Sequence, residues 1–160
     1  MTHALVLLLA LLIGVIAGLR AFTAPAVMAW AAFLHWINLS GTWASWVGHW
    51  ATVTVLTIIA VAELVSDQME QTPSRKTAVQ FITRLVMGGF AGAVLGTAWG
   101  YPWGSLGMGI IGAVLGTVGG YEVRTRLVRA SGGHDRPIGV LEDVVAVIGG
   151  LAVAALVAAL

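Results

Sequence analysis

The sequence predicts an all-α fold, a polytopic membrane helix bundle of about five transmembrane helices that forms a single domain over residues 1–160. Of its residues, 59% are apolar and only 9% are charged, whereas about 25% are charged in an ordinary soluble domain. The apolar residues lie in runs long enough to cross the ~30 Å hydrocarbon core of a bilayer. So few charged side chains cannot cover a soluble core, and we expect lipid to surround most of the chain.

The first apolar stretch runs from Ala4 to about Leu34, which at ~1.5 Å per residue is longer than one crossing requires. Pro25 lies inside it, and proline lacks an N–H and clashes with the carbonyl one turn back. We therefore expect a kink between Gly18 and Pro25. The second predicted helix runs from about Ala51 to Gln68 and is rich in valine, threonine and isoleucine.

Three further helices fill the rest of the chain. Thr72 followed by Pro73 is typical of a helix cap with proline at the first helical position, so the third helix opens here and stops before Pro102. The fourth covers about Leu106 to Val128, and the fifth starts at Pro137 and continues to the end of the sequence. No connection is long enough to form a soluble domain.

The basic residues fall on alternate connections. The second and fourth connections carry them and the first and third have none, so the positive-inside rule places the second and fourth in the cytoplasm. The N-terminus is then inside and the C-terminus outside. Aromatic residues are typical of membrane interfaces, and the seven tryptophans fall near helix ends predicted to be outside. The basic residues of these two regions are Arg75, Lys76 and Arg84 in or after the second connection and Arg124, Arg126, Arg129 and Arg136 around the fourth.

Glycine recurs every four residues in the third and fourth predicted helices, which puts each set along one face. Lipid tails are as apolar as leucine, so membrane helices associate where small residues let their backbones approach closely. This glycine stripe predicts helix packing, either inside a compact monomer or between copies in a homo-oligomer. Its members are Gly88, Gly92, Gly96 and Gly100 in the third helix, and Gly112, Gly116 and Gly120 in the fourth.

Several charged residues lie at membrane depth, where each charge is costly and calls for a partner or a function. Glu63 and Asp67 share one face of the second helix because they are one turn apart. Arg20 is the deepest basic residue of the first helix, and most of the other charges converge on the inner half of the bilayer. The candidate residues for binding an ion or substrate are Arg20, Glu63, Asp67, Arg84, Glu122, Arg124, Glu142 and Asp143.

Two interpretations of these charges remain open. In the first, satisfied ion pairs lock the helices together while interfacial arginines reach the headgroups. In the second, a polar vestibule opens to the cytoplasm, and Arg20 gates or neutralises it. A cation or proton binds there to Glu63, Asp67, Glu142 and Asp143. A pairing of Arg20 with Glu63 is a further hypothesis, and it requires the first helix to tilt or to fold back near Pro25.

Other classes of function find little support. The net charge of +1 lacks the basic excess that a nucleic-acid partner requires. The absence of cysteine removes disulfides and thiolate chemistry, and the four histidines are scattered. No spacing is typical of a metal site and no nucleophile motif is present. We expect no catalytic residue, metal or cofactor, and no enzymatic activity.

Four stretches of the chain together resemble a family of small bacterial multi-pass membrane proteins known only as a domain of unknown function. They are GLRAFTAPAVMAWAA from Gly18 to Ala32, AELVSDQMEQTPSR from Ala62 to Arg75, and GGYEVRTRLV together with the later LEDVVAV. The likeness spans nearly the whole chain. It implies a protein of the bacterial inner membrane, and it brings no established substrate, cofactor or catalytic residue.

The leading hypothesis is a small transporter or channel-like protein that handles a cation or a proton-coupled small solute. The alternative is a structural or accessory membrane subunit that assembles through the glycine stripe. The lipid bilayer is the expected partner in both. The two differ at Glu63 and Glu142, because transport predicts that both face a water-accessible cavity, whereas an accessory role predicts that an arginine closes off each.

Overall fold

The computed structural model describes residues 1–66 and 78–160, which form six α-helices, one 3₁₀ helix and no strand. The predicted all-helical class is confirmed. Three of these helices, α4, α5 and α6, are long and apolar enough to cross a membrane, while α1, α2 and α3 are shorter and apolar. The bounds are α1 His3–Leu19, α2 Thr23–Phe33, the 3₁₀ helix Ser45–Gly48, α3 Trp50–Ser66, α4 Ala78–Thr97, α5 Pro102–Ala130 and α6 Asp135–Ala159.

The first predicted helix is in fact two helices. α1 ends at Leu19 and α2 begins at Thr23, and Arg20 between them has an extended backbone with φ −141° and ψ 112°. Pro25 lies in the first turn of α2, where its missing N–H removes no intrahelical hydrogen bond. The expected kink is therefore a complete break, and the chain reverses direction there.

Contacts at the two ends of α1 establish its direction. His3 at the start of α1 stacks on Tyr101 in the α4–α5 connection, with ring centroids 4.3 Å apart. Leu19 at the other end lines a groove with Arg124 and Leu127, close to the α5–α6 connection. The N-terminus thus lies at the opposite end of the bundle from that arginine-rich connection. The sequence predicted that the two share a side, and the fold-back of α2 explains the difference.

After the break, α2 runs back beside α3 in the antiparallel sense. The indole of Trp30, near the end of α2, donates a hydrogen bond to the hydroxyl of Thr57 on α3 (3.0 Å). Further along, the connection just before the 3₁₀ helix lies against α4, because the Trp43 indole donates to the Thr97 hydroxyl (3.0 Å) and its ring packs edge-on against Phe90. The aromatic connection therefore lies at the same end of the bundle as the α4–α5 connection.

Glycines bring the backbones of α1, α4 and α5 into close contact. Gly88 and Gly92 of α4 face α5, whereas Gly112 and Gly116 of α5 face α1, and a Cβ atom at any of the four would overlap backbone atoms of the facing helix. Gly96 likewise lies against α5 at Ser105. These five members of the glycine stripe are therefore occupied by contacts within the chain.

The two remaining members of the stripe play other parts. Gly100 has a φ of +80° with no neighbour near its Cβ position, so it forms the turn after α4 rather than a packing surface. Gly120 lines an apolar groove between α1, α5 and α6.

α3 is the most peripheral helix, with Ile58 and Val65 both more than half exposed, as expected for side chains that face lipid.

Candidate site at the helix break

The break between α1 and α2 gathers charged side chains from three other helices. A helix end leaves several backbone N–H or C=O groups without an intrahelical partner. In the interior of a membrane, water is not available to bond them. Each unpaired group at the break therefore needs a partner from elsewhere in the protein, and charged residues of α3 and α4 supply several of these partners.

Glu63 of α3 supplies the partner at the start of α2. Its Oε1 accepts the backbone N–H of Ala21 at 2.7 Å, and its Oε2 accepts that of Phe22 at 2.9 Å. The positive end of the α2 dipole also favours a carboxylate at this position. Both oxygens of Glu63 are thus engaged with the backbone of the break.

Arg84 of α4 supplies the partner at the end of α1. Its guanidinium donates to the carbonyl oxygens of Gly18 at 2.5 Å and of Leu19 at 3.0 Å, and its side chain is only 3% exposed. The Thr117 hydroxyl also lies 3.2 Å from the Gly18 carbonyl oxygen, although its shorter hydrogen bond, of 2.7 Å, is to Ala113. A cation suits this end of a helix because the dipole is negative there. Each end of the break is therefore matched by a side chain of opposite charge.

Arg20, within the break itself, pairs with a helix on the other side of the bundle. Its Nε and Nη2 both contact Oδ1 of Asp143 on α6, and its side chain is completely buried. This contact with Asp143 was not expected from the sequence, and the hypothesis that Arg20 pairs with Glu63 stays a prediction. Because removing one member of a buried ion pair leaves a charge in a dry environment, this pair ties α6 firmly to the break.

A cleft of about 390 Å³ between α3 and α4 reaches the break. Glu63 and Arg84 both line it, so the two charged residues that cap the helix ends also contribute polar groups to the cleft. Ser66, Gln80 and Thr83 add further polar groups to the walls. The arrangement can place a small polar solute or a cation beside a carboxylate that holds the first turn of α2.

The remaining predicted residues lie apart from the break. Arg124 binds Asp135 through two hydrogen bonds of 2.8 and 2.7 Å and contacts Glu142 at 3.3 Å, so this second cluster ties α5 to α6. Glu122 pairs with Arg126 one turn later on α5 at 2.9 Å, and both side chains are more than half exposed. Glu122 therefore belongs to the surface of α5 and not to the break.

Six residues that the sequence interpretation used lie outside the described residues, namely Asp67, Gln68, Thr72, Pro73, Arg75 and Lys76. Conversely, sequence reasoning missed Thr117 and the backbone groups of Gly18 and Ala21. No side-chain pattern marks a backbone group, although Pro25 did predict a kink in this part of the chain. Within residues 1–66 and 78–160, no three histidine or acidic side chains are grouped so as to hold a metal ion.

Comparison with known proteins gives one match. No curated protein and no solved structure matches the chain. The family model described as a domain of unknown function, DUF4126, matches residues 7–160, which agrees with the resemblance seen in the sequence. The chain belongs to this DUF4126 family.

Proposed function

We propose that the protein is a small transporter or channel-like membrane protein that handles a cation or a proton-coupled small solute at the helix break. The observation that carries this proposal is the position of Glu63, which caps α2 and at the same time lines the cleft. Ionisable residues at membrane depth commonly mark ion pathways, and interrupted helices commonly form their binding sites.

The geometry supports a coupling between ion binding and helix position. As a carboxylate, Glu63 accepts hydrogen bonds from the backbone N–H groups of Ala21 and Phe22. A proton or cation that reaches Glu63 through the cleft neutralises this charge and weakens both hydrogen bonds. The first turn of α2 is then less firmly held, so arrival of the ion changes the environment of the break.

We also propose an orientation in a bacterial inner membrane. The positive-inside rule places the α5–α6 connection, with Arg129 and Arg136, in the cytoplasm. Because α1 starts at the opposite end of the bundle, the N-terminus is then outside, as is the end of α6. The cleft beside Glu63 lies on the cytoplasmic side in this orientation, and the tryptophan-rich connection lies outside.

A structural or accessory subunit is the second candidate. Glu142 supports it, because its carboxylate contacts Arg124 as that role predicts, whereas Glu63 lines a cleft as transport predicts. Five of the glycines that were expected to drive assembly already contact helices of the same chain. A subunit of this kind would therefore assemble through another surface, such as the exposed apolar face of α3.

Flux measurements on the purified protein in lipid vesicles separate the two candidates. A membrane potential is imposed across the vesicles, and proton entry is followed with a trapped pH-sensitive dye, in sodium and then in potassium buffer. Glu63→Gln should abolish flux, because amide nitrogen replaces one acceptor oxygen and the charge is lost. The matched control is Glu122→Gln on the surface of α5. Unchanged flux in Glu63→Gln would favour the accessory role.

A further inference from the structure

One buried hydroxyl beside the break has no hydrogen-bond partner. Thr23 is the first residue of α2 and is only 4% exposed, yet its Oγ1 bonds to no protein atom. Threonines in apolar helices usually donate to a carbonyl one turn back, as Thr57 and Thr83 do here. Because Thr23 starts its helix, no such carbonyl is in place for it.

An unpaired hydroxyl costs most where water cannot reach it. Valine at this position would remove the hydroxyl. Because valine has nearly the same shape as threonine, it would fill the same space without the cost of desolvating a polar group. A buried polar group that lacks a protein partner is commonly bonded to an ordered water molecule or ion. We therefore expect the Thr23 hydroxyl to bond to an ordered water molecule or ion.

Helix packing locates this hydroxyl within the molecule. Val27 is one turn after Thr23, on the same face of α2, and its Cγ2 lies 3.0 Å from the Cβ position of Gly150 on α6. Arg20, three residues before Thr23 in the chain, pairs with Asp143, which is seven residues before Gly150 on the same face of α6. Thr23 therefore lies at the interface with α6, between these two contacts.

We propose that Thr23 forms part of a binding site for a single water molecule beside the Arg20–Asp143 pair. The site deepens the proposed function on which it rests, because it supplies a position through which a proton from Glu63 can move toward α6. The water accepts one proton and gives up another, so its composition is unchanged. The proton is thus the coupling ion, and Thr23 is a positioning residue that holds the water.

Ser105 provides a matched comparison inside the same protein. Its Oγ is also buried without a partner, but it lies in the interface of α4 and α5, so close to Gly96 that even a Cβ atom there would overlap it. No space for water is left on that side, and no charged residue lies on the facing turn around Gly96. Removing the Ser105 hydroxyl should therefore relieve a cost and displace nothing.

Thermal unfolding in detergent tests the site without any assumption about transport. If a water molecule binds there, Thr23→Val should lower the melting temperature by about 4 °C, because the water loses a partner, and Thr23→Ser should restore it. Ser105→Ala should leave the melting temperature unchanged or raise it. A melting temperature that is unchanged or higher in Thr23→Val would overturn the proposed site.

Proton flux in lipid vesicles then tests the role of the site. Thr23→Val should reduce flux by about tenfold or more, while Thr23→Ser and Ser105→Ala keep most of it. Wild-type flux in Thr23→Val would overturn the role in proton movement. If the wild-type protein itself carries no protons, the proposed function fails, and the melting temperatures still decide whether the water site exists.

Discussion

The guanidinium of Arg84 on α4 donates a hydrogen bond of 2.5 Å to the carbonyl oxygen of Gly18 on α1. This bond joins helices that are far apart in sequence and satisfies a carbonyl that the end of α1 leaves without an intrahelical partner. It also keeps a buried positive charge at the negative end of a helix dipole. The break is therefore held by the rest of the fold, and its stability can be tested residue by residue.

Replacing Arg84 should destabilise the protein strongly. Arg84→Met leaves the carbonyls of Gly18 and Leu19 without their donor, and loss of hydrogen bonds to a charged group should lower the free energy of unfolding by about 3 kcal/mol. Denaturation in detergent, followed by circular dichroism, measures the change. The control is Arg126→Met, a residue 75% exposed on α5, whose effect should be within about 0.5 kcal/mol. Equal effects would contradict the assigned role of Arg84.

The Arg20–Asp143 pair predicts a non-additive double mutant. Asp143→Asn leaves the Arg20 charge buried without its carboxylate, which should cost about 3–5 kcal/mol of stability. The double variant Arg20→Met with Asp143→Leu removes both charges, and its stability should recover much of this loss. The matched single variants Arg20→Met and Asp143→Leu complete the cycle, and a double variant whose effect equals the sum of theirs would show that the two residues are not coupled in the folded protein.

Replacing glycine with alanine on two adjacent turns of α5 should have opposite effects on the stability of the protein. At Gly116 a new Cβ would overlap the backbone of α1, so Gly116→Ala should cost about 1–3 kcal/mol of stability. At Gly119 the Cβ position is open, and Gly119→Ala should be neutral or stabilise α5 by up to about 1 kcal/mol. Unfolding curves in the same detergent compare the two. Similar effects at both positions would contradict the packing of α5 on α1.

The absence of cysteine makes the orientation easy to test by labelling. Single cysteines are introduced as Thr2→Cys and Ser131→Cys, and intact bacterial cells are treated with a membrane-impermeant maleimide. Thr2→Cys should react in intact cells, because α1 and α2 fold back and leave the N-terminus outside. Ser131→Cys should react only after the membrane is permeabilised. The reverse pattern would restore the orientation that one continuous first helix implies.

The sequence predicted the class of fold well because its signals are local. Apolar runs and prolines gave the later helices closely: the fourth was expected over about Leu106 to Val128, and α5 is Pro102–Ala130. The fold-back at Arg20 was harder, because a proline inside an apolar run is compatible with a kinked crossing or with two helices. Only the contacts of both ends of α1 decide between them.

The candidate site was predicted in part. Its charged residues were identified from their cost at membrane depth, and Arg20, Glu63, Arg84 and Asp143 do converge around the break. Their partners were not foreseen, because Glu63 and Arg84 bind backbone groups, and every residue carries the same backbone groups. Glu122 was included on depth alone, since counting along a helix gives depth but not the direction in which the side chain points.

The capping of the break also bears on how the chain is assembled as it leaves the ribosome. The amide of Ala21 is satisfied by Glu63, 42 residues later, and the carbonyl of Gly18 by Arg84, 66 residues later. The break lies at the tip of the hairpin that α1 and α2 form. During synthesis this tip is therefore made well before Glu63 and Arg84, whose side chains supply its hydrogen-bond partners. Until α3 and α4 have entered the membrane, that tip has to remain in contact with water or with the insertion machinery.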